Sequence, residues 1–242
     1  WEQHEIELAL RPLPDAAEAV VLTQWVLRNL AHAHGLRCSF DPILRAGHAG
    51  SGMHFHFSPT REGIHLGGMG KEGDLAEEAR WLIGGLVSLG GALMAFGNRS
   101  EESFVRLSQG KEAPRSITWG RFNRHALVRL PIQAVSEDGR VVTPPTIEFR
   151  LPDGSVQPYL LLAGTAQAML WGRDLQNLDE VLASTDAAKR GDEGAGGGAG
   201  VPHSPCEVAE AVERHAPALE AGQVFAEGMI QALVKQLRSQ AG

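Results

Sequence analysis

Three short segments of this chain alternate polar and apolar residues with a period of two: QHEIEL at 3–8, MHFHFS at 53–58 and IEFRL at 147–151. Successive side chains of a β-strand point to opposite faces, so this pattern asks for a sheet with two unlike sides. His54 and His56 share a face opposite Phe55 and Phe57, and Glu148 and Arg150 share one opposite Ile147, Phe149 and Leu151. In the first segment Gln3, Glu5 and Glu7 lie opposite His4, Ile6 and Leu8. The pattern therefore predicts a core on one side of the sheet and a polar site on the other. A run of small residues, Ala49 to Gly52, leads into the second segment, where glycine lets a backbone approach a ligand closely.

Helical patterns supply the backing. DAAEAVVLTQWVLRNLAHAHG, from Asp15 to Gly35, has Glu18 three residues after Asp15 and a glycine placed for a C-terminal cap. LAEEARWLIGGLVSLGGALMAFG predicts a second long helix, whose internal glycines each cost about 1 kcal/mol relative to alanine and so point to close packing. PYLLLAGTAQAMLWG predicts a third, with Pro158 in its first turn. Cys38 to Leu44 reads as a short strand and HALVRLPI as a core strand, with a loop in front of the latter. Strands and helices mix without regular alternation, which predicts an α+β fold: a mostly antiparallel sheet with one polar face, backed by helices. The expected organisation is a core over 1–186, a glycine-rich linker over 187–202 and a C-terminal segment of one or two amphipathic helices over 203–242.

At 242 residues the chain is long enough for one large domain. A formal charge of -7 argues against a broad nucleic-acid surface, which needs clustered Lys and Arg to displace counterions. Small anionic substrates remain compatible, and the segment from Arg99 to Arg129 holds a local excess of positive charge. No apolar run approaches the ~20 residues that cross a bilayer, so a cytoplasmic protein without a membrane partner is expected. Cys38 and Cys206 are far apart and suggest neither a disulfide framework nor a zinc site.

Glu5, His54 and Glu148 would together give two carboxylates and one imidazole, a mixed O/N set suited to Mg²⁺ or Mn²⁺. On spacing alone, the plainer reading is the solvated face of an antiparallel sheet.

Four motifs change that balance. GHAGSGMHFHFS resembles the G-x-N-G-S-G-M-H-x-H-x-S signature of glutamine synthetases. SFVRLSQGKEAPRSITWGRFNRHALVRLP is similar to that family's S-Y-K-R-L-x-P-G-x-E-A-P flap followed by R-N-R-S-A-S-x-R-x-P. TIEFRLPDGSVQPYLLLAG resembles R-I-E-x-R-x-P-D-x-x-x-N-P-Y-L-x-x-A, and QHEIEL resembles the G-Q-x-E strand. The motifs keep the family's order and cover residues 1 to about 172.

The resemblance implies roles for individual residues. Glu5, His54 and Glu148 match metal ligands. His56 and Ser58 match residues near the nucleotide and the transferring phosphoryl group, and Arg124 and Arg129 match arginines on the ATP phosphates. Gly50, Arg106 and Arg150 match contacts to the amino-acid substrate, and Glu112 matches the glutamate of a mobile flap. The implied activity is ATP-dependent: a carboxylate, glutamate or a similar acid, is activated as an acyl phosphate, and ammonia displaces phosphate to form the amide. Two divalent ions and the arginines would neutralise the charge that builds on the phosphoryl oxygens.

The chain also departs from the pattern. Ala49 stands where the signature has asparagine, Ser108 replaces the flap proline, and Gln157 replaces the asparagine of N-P-Y-L. These changes keep two alternatives open: a relative that joins glutamate to a polyamine or other amine, and a non-catalytic family member. Trp1 stands where an initiator methionine would be expected. The chain is therefore read as the C-terminal part of a catalytic domain, inactive alone, from a full-length protein expected to be a homo-oligomer.

Overall fold

The helix Glu77–Gly97 runs through the centre of the computed structural model, and nearly every side chain along it is buried. The structure describes residues 3–68, 74–109, 111–133, 136–138, 142–189 and 200–240. The helices are α1 (Leu13–Ala33), α2 (Glu77–Gly97), α3 (Glu101–Gln109), α4 (Pro158–Asp174), α5 (Leu178–Thr185), α6 (Pro205–Glu220) and α7 (Glu227–Ser239). The strands are β1 (Phe55–Phe57), β2 (Thr60–Arg61), β3 (Ile64–His65), β4 (Ser116–Arg121), β5 (Ala126–Leu130) and β6 (Ile147–Phe149).

By length and composition α2 could span a bilayer, which corrects the expectation that no apolar run is long enough. Its surroundings give the reason for its composition: α4, α5 and α6 pack around it, and β4, β5 and β6 touch it from the sheet side. A helix buried on all sides must be apolar on all sides. The glycines set how close its neighbours come. A Cβ on Gly85 would lie 1.8 Å from the Ala168 carbonyl oxygen of α4, and one on Gly172 would lie 1.9 Å from the Trp81 carbonyl oxygen of α2. The two backbones meet directly at this crossing.

Four strands form the main sheet in the order β1-β6-β5-β4. β6 pairs antiparallel with β1 and with β5, and β4 runs parallel to β5. This is an α+β fold with a mixed sheet in which two of the three pairings are antiparallel, close to the predicted class. β2 and β3 form a separate small hairpin. Phe149, Ile147, Leu127 and Val128 sink into the core beside Leu86, Leu89 and Leu93 of α2.

Several elements follow the sequence reading. α1 ends in a Schellman-type turn with Gly35 at φ 69°, where the Leu36 amide donates to the Ala31 carbonyl at 2.8 Å. Its start differs from the capping arrangement anticipated at Asp15, because the helix begins at Leu13 with Pro12 before it and no side-chain cap. α4 begins at Pro158, and the Gln157 side chain accepts from the Tyr159 amide at 3.1 Å. The C-terminal segment forms two helices, α6 and α7, parted by a kink at Gly222 with φ 65°. α6 packs on α2 and shares its core. Of the glycine-rich linker, residues 190–199 lie outside the described residues.

Other elements depart from it. Residues 3–10 are exposed, form no regular element and join no sheet among the described residues. Alternation shows that a segment suits a half-buried strand, but a strand forms only beside a neighbour that satisfies its ladder. Cys38 to Leu44 is likewise irregular. The loop expected before β5 contains α3 and β4. In β4 the small residues Ser116, Thr118 and Gly120 face inward while the larger Ile117 and Trp119 are only half-buried. The Trp119 indole N–H donates to the Leu182 carbonyl of α5 at 2.8 Å. That inversion of the usual apolar-in pattern hides the strand in the sequence.

The contact between α2 and α4 gives a direct test. Gly85→Ala should destabilise the fold by about 1–3 kcal/mol through overpacking, despite the helix propensity it gains. Gly91→Ala, whose Cβ would meet the Pro202 side chain at 3.2 Å and the Ala211 Cβ at 3.6 Å, should stay within about 1 kcal/mol of the parent. Urea unfolding followed by circular dichroism measures both.

Candidate active site

Strand register places Glu148 at the centre. It lies directly opposite His56 on β1 and directly opposite Arg129 on β5, so three polar side chains stand in a row across the sheet. The alternating Ile147 and Phe149 anchor β6 in the core from the other face. Glu148 itself is 1% exposed, and a buried carboxylate needs compensating charge.

Three cations or imidazoles provide it. His54 Nδ1 lies 3.0 Å from Glu148 Oε1, Arg150 Nη1 lies 2.7 Å from the same oxygen, and Arg129 Nε touches Oε2. His56 Nε2 stands farther off, 3.9 Å from Oε1. Burial alone would raise the carboxyl's pKa, but the His54 hydrogen bond and the charges of Arg150, His54 and Arg129 hold it down to about 2. The His54 pKa is lowered too, because burial outweighs the hydrogen bond to Glu148 that raises it. An ionised carboxylate can only accept, so the His54 Nδ1–H donates to it. Gly52 leaves room for the site's side chains: a Cβ there would lie 2.6 Å from His54 Nε2 and 2.7 Å from Arg106 Nη2, so both ends would have to shift.

Arg150 ties the site to the segment that follows α3. It is 3% exposed; Nη2 donates to the Glu112 carbonyl at 2.9 Å and Nε to the Arg124 carbonyl at 3.3 Å. Glu112 adopts φ 57°, and its side chain pairs with Arg124 at 2.9 Å on the surface. Arg106 is buried on α3 and donates to the carbonyls of Leu151 at 2.9 Å and Arg150 at 3.2 Å. Burial lowers its pKa to about 10, opposed by Asp153, and it stays charged at neutral pH. Gly50 packs against the Arg106 stem and the Pro42 carbonyl. His56 Nδ1 is 3.0 Å from Thr146 Oγ1, and the Ser58 hydroxyl donates to the Pro145 carbonyl at 2.7 Å.

The structure thus gathers His54, His56, Arg129 and Arg150 around the Glu148 carboxylate, with Glu112 and Arg124 joined through Arg150. It does not bring Glu5 into that group: Glu5 lies in the exposed segment 3–10, which is held near the small-residue run by Gln3 Nε2 donating to Gly50 O at 3.2 Å. Among the described residues no three His, Cys, Asp or Glu side chains are grouped closely enough to hold a metal. Glu148, His54 and His56 are donor types that a divalent cation takes, but as placed here they form no metal-holding group, and the carboxylate is paired with Arg129 and Arg150.

Sequence reasoning missed the buried polar support behind Arg106. Asp153 is fully buried; its Oδ2 accepts from Asn98 Nδ2 at 2.8 Å, and its Oδ1 accepts from the Ser155 amide at 3.0 Å and hydroxyl at 2.6 Å. Asp153 also bridges to Gly52, which fixes the loop before β1. The signal lay in the P-D-G-S turn after β6, where an Asp side chain caps its own backbone two residues on.

Removing the carboxylate should be costly, because it leaves buried positive charge unmatched. Glu148→Gln is expected to destabilise the fold by about 3–5 kcal/mol in urea unfolding at pH 7. The folded carboxyl holds its proton less tightly than the unfolded one, so unfolding takes up a proton at acid pH. Its stabilisation is complete above pH 4.5 and is lost as pH falls toward about 2. The stability difference between parent and Glu148→Gln should therefore shrink between pH 5 and pH 3.

A family profile described as "Glutamine synthetase, catalytic domain" matches residues 1–239. Glutamine synthetases of Pyrococcus woesei and Vibrio alginolyticus are 38% and 35% identical over 170 residues, 70% of this chain and 37% and 35% of their own lengths. The chain thus spans about a third of the curated relatives it matches. Among solved structures, the Plasmodium falciparum glutamine synthetase has a TM-score of 0.76 at 20% identity, covering 94% of this chain and 51% of that one. A structure described as a GmaS/ADP complex has a TM-score of 0.66 at 27% identity, covering 95% and 51%. With a match over almost its whole length, the chain belongs to the glutamine synthetase family and carries sequence of that family's catalytic domain.

Proposed function

We propose that this chain forms part of the active site of an ATP-dependent ligase that joins glutamate, or a similar acid, to ammonia through an acyl phosphate. The observation that carries the reading is the buried Glu148 with His54, His56, Arg129 and Arg150 on one face of the sheet. Membership of the family supports it, and so does the likeness to a protein whose solved structure contains ADP.

A free carboxylate is a poor electrophile at neutral pH, and phosphorylation converts its oxygen into a leaving group. The transfer gathers negative charge on the phosphoryl oxygens, so cations are the groups needed. Arg124 and Arg129 would hold phosphate oxygens with charge-assisted hydrogen bonds, while His56 and Ser58 line the nucleotide side. A divalent ion, Mg²⁺ or Mn²⁺, held through Glu148 and His54 would neutralise phosphate charge. Arg106 and Arg150 orient the acid's carboxylates, Gly50 offers its backbone, and Arg150 at the same time fixes the carbonyls of Glu112 and Arg124. Glu112, on the flap after α3, would close over the activated acid and exclude water, which otherwise hydrolyses it. Further metal ligands, Glu5 among them, join the site only if segment 3–10 is brought to it.

The test is phosphate release from MgATP by the longest natural polypeptide that contains this chain. Release should require both an acid and an amine, and a panel of ammonia, alkylamines and polyamines identifies the acceptor. Arg124→Gln and Arg129→Gln should each lower kcat/KM by about 10²–10³-fold. No release with any pair would leave the chain a non-catalytic member of its family.

A further inference from the structure

The C-terminal helix helps to enclose a cavity that the sheet site does not use. The chain turns through Asn98, Arg99 and Ser100 between α2 and α3, and α7 faces this turn across a space of about 200 Å³. Phe104 of α3 and Leu233 and Leu237 of α7 give it apolar walls. Asn98 lines it and is 3% exposed. Its Nδ2 donates to the Leu151 carbonyl at 2.9 Å and to Asp153 Oδ2 at 2.8 Å, two acceptors that fix which way the amide is turned. Its Oδ1 is buried and has no hydrogen-bond partner among the described residues. Such an orphan acceptor costs free energy until a donor reaches it. Arg99 and Glu101 line the same cavity with exposed side chains, and among the described residues neither makes an ion pair, with the other or with a third group.

Each part of this lining asks for a particular chemistry. The volume is below the about 300–1,000 Å³ of sites for drug-sized ligands, so the occupant is a small molecule. A guanidinium takes a carboxylate, and the carboxylate of Glu101 takes an ammonium. The buried Asn98 oxygen takes a neutral N–H or O–H donor, carried past the apolar walls on a short chain. A free α-amino acid with an amide or hydroxyl at the end of its side chain meets all three needs. A dicarboxylate offers nothing to Glu101 or to Asn98, and an apolar amino acid leaves Asn98 without a donor. We propose that this cavity binds such an amino acid. None of its lining residues belongs to the polar face of the sheet that carries Glu148. It adjoins that site's support all the same, because Asn98 and Arg106 donate to the same Leu151 carbonyl.

The experiment uses this chain with L-asparagine as the probe. Titration of ¹⁵N-labelled protein should show saturable binding with a Kd on the order of 1 mM, the scale that so few ligand atoms supply. The shifts should fall on the backbone amides of residues 98–104 and 233–237 and spare those of 54–56 and 147–150. L-Aspartate, which has the same shape but no side-chain donor, should bind at least about five-fold more weakly, and so should succinamic acid, which lacks the ammonium. Asparagine should lose a similar factor in Arg99→Gln and in Glu101→Gln, whereas Arg99→Lys, which keeps the charge, should retain most of the affinity. The analogue series needs no substitution, so a variant that folds poorly leaves the test intact. Four results overturn the proposal: no saturable binding, which leaves the cavity to water alone; shifts centred on the sheet residues; aspartate binding as tightly as asparagine; or an affinity that neither Arg99→Gln nor Glu101→Gln changes.

Discussion

The site depends on one buried carboxylate and the charges gathered around it. Glu148 lies in the middle of a three-strand stretch, out of water, and stays ionised because Arg150, His54 and Arg129 face it from three directions. Removing a charge from water costs several kcal/mol, recovered only when geometry holds the partners close. Here the geometry is strand register. A slip of one residue between β6 and either neighbour would turn Glu148 into the core and Phe149 onto the polar face.

That register is held from behind. Ile147 and Phe149 of β6 and Val128 of β5 insert into a core whose other wall is α2, and α2 is fixed against α4 by direct backbone contact at Gly85 and Gly172. Close-packed interiors transmit small displacements instead of absorbing them. The glycines of the central helix therefore contribute to the position of a carboxylate they never touch. A second support comes from Asp153 and Asn98, which fix the turn after β6 and with it the backbone carbonyls on which Arg106 rests.

The polar face of the sheet was legible in the sequence because a period of two leaves little choice: once Phe149 goes inward, Glu148 and Arg150 go outward together. The same rule misleads at residues 3–8, which alternate equally well yet remain exposed, with Ile6 54% accessible. Alternation describes the segment alone, whereas pairing depends on a neighbouring edge. β4 fails in the opposite sense. Its inward residues are the small Ser116, Thr118 and Gly120, so a strand is present where the pattern suggests a loop. The nine residues of α3 were equally hidden, since its buried face includes Ser103 and Arg106, residues that usually mark a surface.

By itself, then, the sequence determined which side chains could share a face, that the glycine-bearing second helix packs closely on a neighbour, and which family's motifs the chain carries, because these follow from local periodicity and short linear patterns. Tertiary structure alone decided that Arg129 joins Arg150 on Glu148 and that Arg150 also grips the carbonyls of Glu112 and Arg124. Those facts rest on strand order and register, which join residues 19 to 38 positions apart. No local pattern encodes such pairings, since they are fixed only when the core behind the sheet closes.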